Sequence, residues 1–153
     1  MPSLELKIPP PAVALVVGLA MWWISRYGVL EGVPPRWRIG AALALAAIGA
    51  AFDVAGIIAF GLAKTTVNPM KPEKSVALVC SGVYRITRNP MYVGMVFILL
   101  AWAVYLTSPW ALFGPLVFAA YITRFQIKPE ERVLAARFGV EFASYQARVR
   151  RWL

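Results

Sequence analysis

The sequence predicts an all-α integral membrane protein: two transmembrane helices, a helical hairpin (about four membrane helices in all) and a C-terminal amphipathic helix. Three observations carry that expectation. The apolar residues fall in long uncharged blocks, Ile8 to Ser25, Ile39 to Ala63 and Met91 to Thr123, interrupted only by Asp53. Hydrophobic residues make up 60% of the chain and charged residues 15%, where soluble domains carry about 45–50% and about 25%. The mean hydropathy is +0.66. A chain of 153 residues suits one domain, so 1–153 reads as a single membrane unit.

The first membrane segment, about 9–26, begins with three prolines and ends at Trp22-Trp23, the aromatic type found at membrane interfaces. No A-x-A-like site follows it, which favours a retained helix over a signal peptide. The second segment, about 38–63, carries Gly40, Gly49, Gly56 and Gly61 among many alanines, a composition suited to close helix contact in lipid. The polar stretch 64–90 contains Pro69 and Pro72 and reads as a loop. Met91 to Thr123 would make one helix of roughly 50 Å, too long for a hydrocarbon core of about 30 Å. Thr107-Ser108-Pro109 offers a turn, giving a hairpin of 91–106 and 109–126. From 129 to 149 an amphipathic helix is expected, with Leu134, Phe138, Phe142, Tyr145 and Val149 on one face.

Net charge is +9, from 16 Lys+Arg against 7 Asp+Glu. Two spans and one hairpin leave Arg26, Arg36 and Arg38 on one side and the other 13 Lys/Arg on the opposite side. The positive-inside rule then places both termini, the central loop and the tail helix in the cytoplasm. Basic residues beside apolar blocks point to a membrane surface rather than nucleic acid. The chain has one cysteine, Cys80, and no histidine, which removes an internal disulfide, a Ser-His pair and the usual ligands of zinc or haem. No metal is expected.

A hairpin returns the chain to its starting side, so the polar segments flanking it should meet. Arg88 would then face Glu130 and Glu131, an arrangement suited to a zwitterionic ligand. Tyr84 and Tyr92 offer aromatic faces for an adenine or a sulfonium cation. Each of these residues has a plainer reading. Arg88 and Arg85 would serve as phosphate anchors, and the glutamates as residues favoured by the helix dipole. The tyrosines would belong to an interfacial belt, and Asn89 before Pro90 would be a helix cap. Asp53 is an intramembrane carboxylate, which marks a functional site or bonds to a neighbouring helix; the second is the expectation here.

Gly82-x-Tyr84-x-x-x-Arg88-Asn89-Pro90-x-Tyr92-x-Gly94, followed by Glu130-Glu131-x-x-Leu134-x-x-x-Phe138-Gly139-x-x-Phe142-x-x-Tyr145, resembles the isoprenylcysteine carboxyl methyltransferase and phospholipid methyltransferase group of integral-membrane enzymes. The resemblance covers roughly the C-terminal half. It implies S-adenosylmethionine as cofactor, held by Tyr84, Arg88, Asn89, Pro90, Tyr92, Gly94, Glu130 and Glu131, with Arg88 and Glu131 catalytic. It also implies a lipophilic acceptor, an isoprenylcysteine carboxylate or another small lipophilic molecule, entering from the bilayer. Isoprenylcysteine enzymes typically carry His where this chain has Asn89, so a phospholipid headgroup amine is an alternative acceptor. A non-catalytic scaffold or small transporter subunit is the alternative from another class, and it leaves the pairing of the two motifs unexplained.

Overall fold

The computed structural model describes residues 4–63 and 77–153. The first part of the expected loop, 64–76, with Lys64, Lys71 and Lys74, lies outside the described residues. Among the described residues five α-helices follow one another: α1 (Pro10–Ser25), α2 (Pro35–Leu62), α3 (Pro90–Leu106), α4 (Phe113–Ile122) and α5 (Lys128–Arg148). Short 3-10 turns at Gly82–Arg85 and Pro109–Leu112 precede α3 and α4. Among the described residues there is no strand, only an isolated bridge between Thr87 and Arg150.

Proline begins both α1 and α2 at a position whose N–H has no helical partner. Two helical stretches, Pro35–Leu62 and the continuous Pro109–Arg148, are long and apolar enough to cross a membrane. Only 17% of the most apolar part of the first is buried inside the protein, which separates it from the core helix of a soluble domain. Leu15, Val16 and Leu19 of α1, Ile57 and Ile58 of α2, and Leu116 and Val117 of α4 all point outward. Polar side chains frame this apolar waist at one end: Arg26 lies 4.2 Å from the Trp22 ring, and Arg38 lies 5.3 Å from that of Tyr105. That belt joins the end of α1, the start of α2 and the end of α3.

Of the glycines in α2, Gly49 and Gly56 meet α3, while Gly40 and Gly61 face open space. A Cβ at Gly49 would sit 2.7 Å from the Gly94 carbonyl oxygen, so only glycine permits that crossing. The turn between α3 and α4 falls where the sequence places it. Thr107 ends α3 in the left-handed region (φ 49°), and its carbonyl accepts the Leu30 N–H at 2.7 Å.

The C-terminal helix departs from expectation in two ways. It is a direct continuation of the hairpin's second arm, through a π-helical turn at Thr123–Ile127. Pro129 has no N–H to give Phe125, and the Phe125 carbonyl instead accepts the Leu6 N–H at 3.0 Å. The single apolar face is also interrupted, because Gly139 takes φ 49°, ψ −120° within α5. Phe142 and Tyr145 are buried beyond that break, whereas Leu134 and Phe138 before it are only partly covered.

Candidate active site

The geometry centres on Glu131. Proline at the second position of α5, and acidic residues after it, are favoured at a helix start. One Glu131 oxygen accepts Arg88 Nη2 at 2.7 Å and Arg151 Nε at 3.1 Å, and the other accepts Arg151 Nη2 at 2.6 Å. Burial by itself would raise this carboxyl, but hydrogen bonds from Arg151 and Arg88 outweigh it and hold Glu131 below its ordinary range. It is therefore a fixed carboxylate at neutral pH.

Arg88 also closes the far end of α5. Its Nη1 donates to the carbonyls of Val149 at 2.7 Å and Gln146 at 3.2 Å, a cation where the last carbonyls of a helix lack partners. The strand-like segment after the helix then lies along the segment before α3. The Arg88 N–H donates to the Arg150 carbonyl at 2.9 Å. The Arg151 carbonyl accepts Thr87 Oγ1 at 3.1 Å and Asn89 Nδ2 at 2.8 Å.

Glu130, one position earlier, takes a different partner. It accepts the Tyr92 hydroxyl at 3.3 Å. Burial pushes its carboxyl up to about 7, against the Tyr92 hydrogen bond and with help from the Glu131 charge. The two glutamates lie beyond Ile127, past the apolar arm, and their environments drive them apart.

The remaining expected residues divide. Asn89 does not cap α3 with its side chain; that group is turned to Arg151, and Thr87 Oγ1 accepts the Asn89 N–H at 3.2 Å. Pro90 is buried as the first residue of α3. The Tyr84 ring stands edge-on to Phe60, with centroids 5.5 Å apart. Its carbonyl accepts the Tyr145 hydroxyl at 2.7 Å. Burial, then the Glu130 charge, pushes the Tyr84 hydroxyl far above its ordinary range, so it stays protonated. Gly94 is not brought to the site; it lies on the α2-facing side of α3, against Gly49 and Asp53. Arg151 has no place in the sequence expectation beyond its charge. The only trace of it is an Arg-Arg-Trp run after an aromatic helix face, too short to distinguish from a surface anchor.

The expected hydrogen bond from Asp53 to a neighbouring helix is absent among the described residues. Its Oδ1 is buried without a partner among the described residues, packed on the Cα of Gly94. It also lines an apolar groove of about 1020 Å³ between α1 and α2, whose walls include Leu15, Trp22 and Leu43 and whose floor is α3. The floor residues Met95, Leu99 and Trp102 continue at helical spacing from Tyr92, the partner of Glu130.

Residues 37–141 match the family model described as phospholipid methyltransferase. The chain belongs to this family. Among curated members of wider kinship, it is 29% identical over 131 residues to protein-S-isoprenylcysteine O-methyltransferase B of Arabidopsis thaliana, covering 84% of this chain and 58% of that protein. It is 28% identical over 127 residues to the A form from the same plant, covering 81% and 56%. This phospholipid methyltransferase family chain thus spans a little over half the length of the two Arabidopsis proteins. An uncharacterized protein of Haemophilus influenzae is 43% identical over 63 residues, 41% of this chain and the whole of that protein. No solved structure matches. The family match ends at Glu141, before Gln146, Val149 and Arg151.

Proposed function

We propose that this protein transfers a methyl group from S-adenosylmethionine to a lipophilic acceptor in the membrane, at the boundary where Arg88, Glu130 and Glu131 converge. The observation that carries the proposal is this convergence, whose Tyr92 lies one helical turn from the apolar groove at Met95, in a chain of the phospholipid methyltransferase family. The proposed membrane arrangement uses 9–26, 38–63, 91–106 and 109–126, with the convergence and both ends of the chain on the cytoplasmic side. In support, 13 of 16 Lys/Arg fall on that side, and the Arg–aromatic belt of α1, α2 and α3 lies at the other. At 16 and 17 residues, α1 and α3 reach about 24–26 Å, enough for a thin or dimpled bilayer.

The residues present suit a zwitterionic nucleoside cofactor: guanidinium for its carboxylate, Glu130 for its amine, aromatic side chains for its ring. When bound, S-adenosylmethionine supplies an already activated methyl on a sulfonium. What the chain must add is placement. Holding acceptor and methyl in line gives much of the acceleration such a reaction needs. Glu131 has no free oxygen for proton transfer and sets the wall of the site. Glu130, engaged by the cofactor's ammonium in this arrangement, is not left free as a base, so an amine acceptor must arrive neutral.

The family match favours an amine acceptor such as a phospholipid headgroup as the second reading, whereas a carboxylate acceptor needs no base. Purified protein incubated with methyl-labelled S-adenosylmethionine and native membrane lipids tests both. Label is expected in the organic phase, and base-labile label would mark an ester where base-stable label marks an amine. If Glu130→Gln and Glu131→Gln both left transfer unchanged, a scaffold role would replace the proposal.

A further inference from the structure

The structure assigns to Arg151 the task of receiving the carboxylate of the methyl donor's aminoacyl end. This rests on the proposed methyl-donor reading and decides which guanidinium that reading uses. The resemblance to the family points to Arg88, but Arg88 is spent inside the protein. Both hydrogens of its Nη1 are directed at the Gln146 and Val149 carbonyls, its Nη2 is on Glu131, and its side chain is only 11% exposed. Arg88 Nε is buried without a partner, so no ligand reaches it either.

Arg151 differs on each count. It engages Glu131 through Nε and Nη2, while among the described residues its Nη1 makes no hydrogen bond. Its side chain is 35% exposed. Two guanidiniums share one carboxylate at Glu131, leaving one positive charge uncompensated within that triad, and the exposed member presents it. Glu130 adds the opposite sign at the adjacent helix position, and its second oxygen is free of hydrogen bonds among the described residues. The amino-acid end of the methyl donor carries both charges on one carbon, and the assignment places its carboxylate on Arg151 and its ammonium on the free oxygen of Glu130.

Arg151 is also held ready for this task. Its carbonyl takes hydrogen bonds from Thr87 and Asn89, and the next residue, Trp152, donates Nε1 to Thr123 Oγ1 at 3.2 Å. The guanidinium is fixed on Glu131 before any ligand arrives, so little side-chain freedom is lost on binding. Because the family match stops at Glu141, this contact belongs to the part of the chain that the family pattern does not describe.

Calorimetric titration of the full chain in detergent, with S-adenosylhomocysteine and with methylthioadenosine, which lacks the aminoacyl group, tests the assignment. Wild type is expected to bind S-adenosylhomocysteine the more tightly. Arg151→Gln is expected to weaken S-adenosylhomocysteine roughly ten- to hundred-fold and leave methylthioadenosine unchanged, as for loss of a charge-assisted contact. Equal weakening of both ligands would make Arg151 a structural prop, and no weakening of either would also overturn the assignment. Should Arg151→Gln fail to fold, Arg151→Lys decides, because it keeps the charge and loses the fork. A preference for the aminoacyl ligand reduced several-fold supports the assignment; an unchanged preference overturns it. Wild type that binds neither nucleoside removes the methyl-donor reading itself, and the assignment with it.

Discussion

At the Arg88 end of the molecule, hydrogen bonds from Thr87, Arg88 and Asn89 tie together residues more than 40 positions apart. In the apolar half, α2 and α3 are joined instead by glycines that let backbone meet backbone, and α1 is tied to α3 by Trp102 donating to the Gly18 carbonyl at 3.0 Å. The first region has direction and charge, and most of its polar groups are paired. The second has shape, and tolerates no added atom. Lipid-facing helices gain little from burying more apolar surface, so close approach does the holding there. At the polar boundary, unpaired groups are costly and the chain must supply their partners itself.

Removing the shared anion should break this contrast most sharply. Glu131→Ala leaves two guanidiniums facing each other, one of them buried, and should cost about 3 kcal/mol or more, measured as thermal or chemical unfolding in detergent. A loss below about 1 kcal/mol would mean that the clasp behaves as an exposed ion pair. On the apolar side, Gly49→Val forces side-chain atoms against the Gly94 carbonyl, and overpacking of this kind costs about 1–3 kcal/mol. Gly94→Ala meets the Asp53 carboxyl. Its cost should therefore shrink in the background Asp53→Ala, and additivity of the two would show that they do not touch.

Protonation separates the two glutamates. The folded state holds the Glu130 proton up to about 7 against an ordinary 4.5, so it binds that proton more tightly than the unfolded chain. Its contribution is present below about 4.5 and is lost as pH rises towards 7. Glu131 has the opposite sign, and its contribution is lost as pH falls below its ordinary range. Glu130→Gln should flatten the decline between pH 4.5 and 7 in an unfolding titration, while a slope retained in that variant would assign it to another group. Tyr145→Phe removes a single buried bond, to the Tyr84 carbonyl, and should cost about 1 kcal/mol in the same unfolding assay. Glu5→Gln, at an exposed pair with Arg124 and Arg132, should not move the midpoint measurably.

Much of this was legible beforehand. The uncharged blocks and the Thr107-Ser108-Pro109 break place the hairpin because a hydrocarbon core limits helix length. The return of the chain to one side brings Arg88 to Glu131 by topology alone. Gly94 and Asn89 were harder, since motif membership says nothing about which face of a helix a residue takes. Gly94 is two positions from Tyr92 and so points to the opposite side of α3, where α2 needs it.

Composition and patterning by themselves determined the helical class, the apolar waist, the hairpin and the pair of polar segments, because each follows from the solvent that a stretch of chain can tolerate. The tertiary structure decided that the hairpin's second arm runs on into α5, and that Glu131 is bound while Glu130 retains a free oxygen. It decided as well that residues 149–152 fold back to supply Arg151. Those outcomes depend on which donors reach which acceptors across long sequence separations, and hydrogen bonds carry no periodic trace in the sequence.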